Sequence, residues 1–184
     1  MSDHWRYLKV LDDDVSQLSR FIQPAEGNLN TYSLELARLL MIATQECDVL
    51  LKGICKGFGD DSVRNEHGYR KVIRQKSPLI SGVSVRVDPF DLTFRPFESW
   101  SNDETPDWWT ANNKVKHQRT EHFEMANLRN VLSAISGVLI ANLYFQRDTS
   151  NRVEVPLLLE HFRPILQRVG ARTVNEFSYI VPRW

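Results

Sequence analysis

The residues best suited to chemistry lie between Trp108 and Leu128, in the stretch WWTANNKVKHQRTEHFEMANL. Within it Asn112, Asn113, Lys114, Lys116, His117, Gln118 and Arg119 bring amides, cations and an imidazole close together in sequence. A histidine beside such groups can give or take a proton on a phosphodiester while a Lys or Arg neutralises the phosphate. RNA allows this cleavage without a metal, because its 2′-hydroxyl is an internal nucleophile. At about 100° per residue, Trp109, Asn113, Lys116, His117 and Thr120 share one helical face. Arg119 falls about 200° from His117 on a straight helix and becomes its partner only if the helix breaks after Gln118. An inert reading competes: Asn113 and His117 tie helix ends together through buried hydrogen bonds, and Trp108 and Trp109 wedge into the core.

Other clusters carry less. His117 and Glu121 stand four apart with His122 adjoining, which is no zinc signature, so no metal and no cofactor are expected. Gly57-x-Gly59 lacks the lysine of a phosphate-binding loop. The acidic run Asp12 to Asp14 reads as a solvated helix start, and Arg64, Arg70, Lys71, Arg74 and Lys76 as an exposed basic helix face. Phe90, Phe94, Phe97 and Trp100 read as packing residues. Cys47 and Cys55 sit eight apart on one helix, where about 12 Å of rise forbids a mutual disulfide.

These side chains need a scaffold, and 184 residues with 42% hydrophobic and 25% charged residues suffice for one packed domain. Lys plus Arg and Asp plus Glu both count 23, so the net charge is zero and no global basic field draws the chain to polyanions. Any such site is local. Residues 1–14 show no secretory pattern, and the apolar run near Val138 is interrupted by Asn142 and Arg147, so the expectation is a cytoplasmic protein without a membrane span.

The hydrophobic period predicts a short helix over 14–22 and a long one over 31–56, where Leu36, Leu39, Leu40, Ala43, Cys47, Leu50 and Ile54 recur at three and four. Glu35, Arg38, Gln45, Asp48 and Lys52 hold its other side, Thr31 or Ser33 caps it, and Gly57 with Gly59 stops it. Residues 66–75 are weakly helical. Alternation of Val83, Val85 and Val87, followed by Leu92, Phe94 and Phe97, marks a hairpin insertion over about 82–97. Pro106 opens a helix to about 118. A second long helix over 123–146 is apolar nearly all round in its C-terminal half, as a central core helix would be. One more helix is expected over 155–169, bent at Pro164. An irregular or extended tail follows from Gly170, packed through Phe177, Tyr179, Ile180 and Trp184.

The segments LARLLMIATQECDVLLKGIC (36–55), PFESW (96–100), WWTANNKVKHQR (108–119) and FEMANLRNVLSAISGVLIANLYF (123–145) together resemble a group of bacterial proteins related to the HEPN superfamily. The resemblance implies a compact helical bundle that dimerises, commonly a metal-independent endoribonuclease in toxin–antitoxin, abortive-infection or other antiphage systems. Its active motif is an Arg, a polar residue after it, and a His, duplicated across the dimer cleft. His117 matches the His and Asn113 the polar residue, which makes both catalytic candidates. The positions expected to hold the Arg carry Thr110, Ala111 and Asn112, which leaves Arg119 or Lys116 to supply a positive charge instead, particularly from the opposing subunit. Lys114, Lys116 and Arg119 are the candidate RNA phosphate contacts.

The expectation is a mainly α fold: a single domain over 1–184, built as a bundle of four to five principal helices with a short β-hairpin insertion and a C-terminal extension over about 170–184. The long helices at 31–56 and 123–146 should be core neighbours. The expected partners are a second copy, RNA, and an antitoxin or defence-system protein. The alternative function is a non-catalytic helical module for dimerisation or for binding protein or nucleic acid.

Overall fold

A computed structural model describes residues 2–156, 159–170 and 176–182. Helix α1 (Asp3–Leu18) buries Trp5, Leu8, Leu11, Val15 and Leu18, so the first helix lies upstream of the expected 14–22. Its acidic run is not solvated throughout, since Asp12 is fully buried. Helix α2 (Leu34–Gly57) starts at Ser33, whose hydroxyl oxygen accepts the Leu36 N–H at 3.1 Å, and all seven apolar positions of its expected stripe are buried. Helix α3 (Glu66–Lys76) is capped by Asn65. Strands β1 (Ser84–Val87) and β2 (Leu92–Phe94) form the expected hairpin. Helix α4 (Asp107–His117), the single-turn α5 (Arg119–His122) and a 3-10 turn at Phe123–Met125 lead to α6 (Leu128–Gln146). The long second helix therefore begins at Leu128 and not at 123, because Asn127 caps it there by accepting the Asn130 N–H at 3.0 Å.

The C-terminal region departs from expectation. The helix expected over 155–169 is replaced by β3 (Arg152–Pro156), β4 (Phe162–Ile165) and β5 (Arg168–Gly170), followed by β6 (Glu176–Ile180). Val153 and Val155 are buried between less buried neighbours, which is the period of a strand. Pro164 has no N–H to give a helix, and it is tolerated in β4 because that strand lies at a sheet edge. The expected packing of the tail is seen at Tyr179, which is buried; Trp184 falls outside the described residues.

The chain is thus mainly helical, with six α-helices and small antiparallel sheets among the described residues. The sheets have the orders β2-β1-β4 and β3-β6-β5, so the hairpin gains a third strand from far along the chain, with Val85 opposite Pro164. Helices α2 and α6 lie side by side at the centre. Helix α6 is long and apolar enough to cross a membrane by length and composition, more than its interrupted run suggests, but 83% of that window is buried within the protein. Its first turn is held by the loop before α2, with the Leu128 N–H donating to Thr31 O at 3.0 Å and the Arg129 N–H to Leu29 O at 2.9 Å.

Helix α4 is fixed against this centre by Trp108. A Cβ on Gly137 would come within 3.1 Å of the Trp108 ring, so the bare backbone there lets α4 approach α6 closely. The Trp108 indole N–H donates to Pro96 O at 2.8 Å. Its neighbour Trp109, also buried, packs against it edge to face, with ring centroids 5.3 Å apart.

Candidate functional site

Helices α2 and α4 diverge enough to leave a cleft of about 540 Å³. One wall is Met41, Thr44, Gln45 and Asp48 of α2, and the other is Trp109, Asn112, Asn113 and Lys116 of α4. Both sets follow the same offsets of three and four, so each is one face of its helix. Arg119 completes the lining. It reaches the cleft because α4 ends at Gln118, whose φ of −139° and ψ of 47° break the helical path before α5 starts. Among the described residues, neither Lys116 nor Arg119 closes an ion pair with a carboxylate.

The α2 wall is rich in acceptors. The Thr44 hydroxyl spends its proton on Leu40 O at 2.7 Å and leaves its oxygen lone pairs available. Burial pushes the Asp48 carboxyl above the usual carboxylate range, against the opposing pull of a Tyr69 hydrogen bond and the charges of Lys52 and Lys116. Burial likewise raises the Tyr69 hydroxyl, with the Asp48 charge adding to the effect. On the facing wall Asn112 is only 8% exposed, and its Oδ1 is buried without a hydrogen-bond partner among the described residues. Buried amide oxygens are ordinarily paired, so this orphan is a local cost to the fold.

The sequence candidates divide here. Asn113, Lys116 and Arg119 come together in the cleft; His117 and Lys114 are exposed on the same helix but do not line it. Asn113 is exposed too, so the inert reading in which Asn113 and His117 join helix ends through buried bonds does not hold. Trp108 and Trp109 do wedge into the core, with Trp109 contributing to the cleft as well. Thr44 was not singled out by sequence reasoning, Asp48 was read only as part of a polar helix face, and Asn112 was placed in the polar stretch without a role. Their signal was a polar face on each of two helices at matching offsets, which becomes a pair only when α2 and α4 are known to pack together.

Several buried polar groups elsewhere are paired within the fold, while Ser99 Oγ, like Asn112 Oδ1, is buried without a partner among the described residues. Arg70, expected on an exposed face, is buried: it donates to Glu66, to Thr105 and to Asp103, and Glu66 also accepts the Trp100 indole N–H at 2.9 Å. His161 is held by Ser16 Oγ at 2.7 Å on one nitrogen and by Asp88 O at 2.8 Å on the other. Glu46 meets His4 Nδ1 at 2.6 Å. Cys47 and Cys55 are buried free thiols, and burial pushes Cys55 up to about 12, which suppresses its thiolate. Among the described residues no three His, Cys, Asp or Glu side chains gather as a metal site. Comparisons with protein-family models, curated proteins and solved structures give no match for this chain.

Proposed function

We propose that this chain is a HEPN-like helical bundle with a β insertion, a cytoplasmic defence or toxin-type protein that acts on RNA at the cleft between α2 and α4. The observation that carries the reading is Arg119: the break at Gln118 sets it beside Asn113 and Lys116, which supplies a cation close to where the resemblance calls for one. Lys116 and Arg119 neutralise phosphates, Asn113 orients the ribose–phosphate, and Lys114 adds charge outside the cleft. His117, exposed at the end of α4, takes the proton of the 2′-hydroxyl. The 2′-oxygen then attacks phosphorus, the bond to the 5′-oxygen breaks, and that oxygen takes up a proton. Pairing of two copies doubles the site.

The test is cleavage of a broad panel of single-stranded RNAs with EDTA present, comparing the wild type with His117→Ala and Asn113→Ala. Cutting that is lost in the His117 variant supports the mechanism; undiminished cutting by that variant removes His117 from it. A second reading, a binding module without chemistry, is favoured by the position of His117 outside the cleft lining. It predicts RNA binding without cleavage. In both readings log Kd depends on log salt, and Lys116→Ala with Arg119→Ala flattens that slope by about 1.4, from about 0.7 per phosphate contact on a single strand.

A further inference from the structure

The large apolar side chains that the fold leaves in solvent gather on one face. Along α1, Tyr7, Val10, Asp14 and Gln17 recur at three and four on the side away from the core, and Phe21 continues the row past the helix end, where its N–H donates to Leu18 O at 2.9 Å. Along α2, Leu34, Arg38, Gln45 and Val49 form an exposed row of the same kind. Arg38 donates to the Asp14 carboxylate at 3.1 Å and His4 meets Glu46 at 2.6 Å, so the two helices run antiparallel with these rows side by side. Phe21 and Leu34, at 84% and 71%, are the most exposed large apolar side chains described.

Taken at about 150–200 Å² each, the exposed fractions of Tyr7, Val10, Phe21, Leu34 and Val49 leave roughly 500 Å² of apolar surface. That is at the upper end of the about 300–600 Å² that the largest patch on a monomer ordinarily reaches. Two such faces together offer roughly 1,000 Å² of apolar area; with about 60% of an interface apolar, the whole contact comes to about 1,600 Å², the standard size of a stable complex.

Charge decides which occupant fits. The charges on and beside the rows cancel: Asp3 pairs with Arg6, Asp13 with Lys9, and Asp14 and Glu35 share Arg38, with Arg20 as the remaining cation. An anionic membrane selects a face with a cationic rim, and a strongly charged protein segment selects an unanswered field of the opposite sign; this face has neither. A second copy needs no such field, and the chain's net charge of zero lets two copies meet without repulsion. The spacing is also self-complementary. Tyr7 and Phe21 stand seven residues to either side of Asp14, about 10 Å each way along the axis. Two α1 helices laid antiparallel across a two-fold axis at Asp14 therefore set Tyr7 of each copy against Phe21 of the other.

We infer that the outer face of α1 and α2 is the surface on which a second copy of this chain docks, α1 on α1 and α2 on α2 about a two-fold axis. Gln45 belongs both to this face and, with Met41, to the α2 wall of the cleft, so the two clefts open along one edge of the dimer. The inference rests on the reading above for the use of the pairing, a doubled site, and it names the surface that makes the pair.

The test is sedimentation velocity of the full chain from about 1 to 100 µM, since contacts of this size bind at micromolar Kd or tighter. The wild type is expected to sediment as a dimer at the upper concentrations. Phe21→Glu combined with Leu34→Glu should raise Kd about a hundredfold or more and give a monomer. Both side chains lie mostly in water and a glutamate suits the first turn of α2, so this variant folds, which circular dichroism checks. Ile165→Glu, on the exposed edge of β4 and away from the face, should leave the dimer intact. A wild type that stays monomeric at about 100 µM overturns the proposal, and binding of that monomer to phosphatidylserine vesicles would give the face to a membrane instead. A dimer that survives the double substitution, or one that Ile165→Glu dissociates, overturns it as well.

RNA cutting is followed in the same samples. A monomeric double variant that cuts as well as the wild type supports the docking face and removes the doubled site from the RNA reading. A wild type that dimerises through this face but neither binds nor cuts RNA supports the face and removes the RNA reading altogether.

Discussion

Asn112→Leu tests whether a buried, unpaired amide is kept for folding. Asn112 is 8% exposed, and its orphaned Oδ1 is taken out of water with nothing given in return. An unsatisfied buried polar group costs about 1–3 kcal/mol. Leucine has the same branched shape and is bulkier, and its extra bulk has the cleft that Asn112 lines to extend into, so the exchange opens no cavity. Asparagine is also the poorer helix former, by a few tenths of a kcal/mol at an interior helical position. The variant should therefore be more stable than the wild type by about 2 kcal/mol. For a domain of this size that is a rise in Tm of about 4–8 °C. Urea unfolding followed by tryptophan fluorescence gives the free energy, and a thermal melt gives the shift. A variant destabilised by more than about 1 kcal/mol would mean that Asn112 holds the fold together, and the argument from its unpaired oxygen would collapse.

Three further outcomes are expected. Asp12→Ala removes the fully buried carboxylate that accepts the Glu160 N–H at 2.5 Å and the His161 N–H at 2.9 Å; two donors losing their acceptor should cost about 2–4 kcal/mol in urea unfolding. Protection of the β4 amides against hydrogen exchange should fall with it, and unchanged protection would show that Asp12 does not anchor that strand. Glu66→Ala strands the buried Arg70 guanidinium and the Trp100 indole N–H, so it should cost about 3–5 kcal/mol, and a loss below about 1 kcal/mol would refute the network as a tie between α3 and residues 100–105. Asp48 titrates above its ordinary 3.8, so its ionisation weakens the fold; the penalty is fully present above the raised value and disappears below 3.8. Asp48→Asn should be more stable than the wild type near neutrality, with the advantage closing as pH falls towards 3.8, and an advantage that grew on acidification would reverse the assignment.

The helices were legible wherever one face is uniformly apolar. The stripe from Leu36 to Ile54 named the buried side of α2 correctly; of the expected caps Thr31 and Ser33 it is the second that starts the helix, and Gly57, expected to stop it, is its last residue with Phe58 after it as the cap. Alternation at Val83, Val85 and Val87 gave the hairpin. It could not give the third strand, because β4 pairs with β1 across more than seventy residues and its short segment of Phe162 to Ile165 has no local signal stronger than the apolar run that suggested a helix. The first helix was shortened by reading three consecutive aspartates as solvent-facing. Asp12 is instead the residue that captures the chain 148 and 149 positions later, a relation that no window on the sequence contains. The site was half legible: the cationic stretch stood out, but its acceptor wall lies on another helix, among residues that looked like an ordinary polar face.

That acceptor wall is also distinguished by what it lacks. Asp12 is met by two backbone donors, Glu66 by Arg70, Trp100 and Thr105, and Glu46 by His4. His161 is engaged at both ring nitrogens, so its 2.7 Å approach to Ser16 is a clasp between α1 and the segment before β4. A polar group surrounded by internal partners has its desolvation offset within the fold, and binding a ligand would mean breaking those bonds first. The cleft is the reverse case. Asp48 retains one internal donor, Tyr69, against a carboxylate's capacity for several, and the Asn112 Oδ1 retains none among the described residues. Unmet acceptor capacity at Asp48 and Asn112 lowers stability, and Lys116 and Arg119 beside them close no ion pair among the described residues. The half-buried Asp48 and the exposed Asn113, Lys116 and Arg119 can still take up partners, and this makes the cleft, rather than the more conspicuous Ser16–His161 pair, the place to look for function.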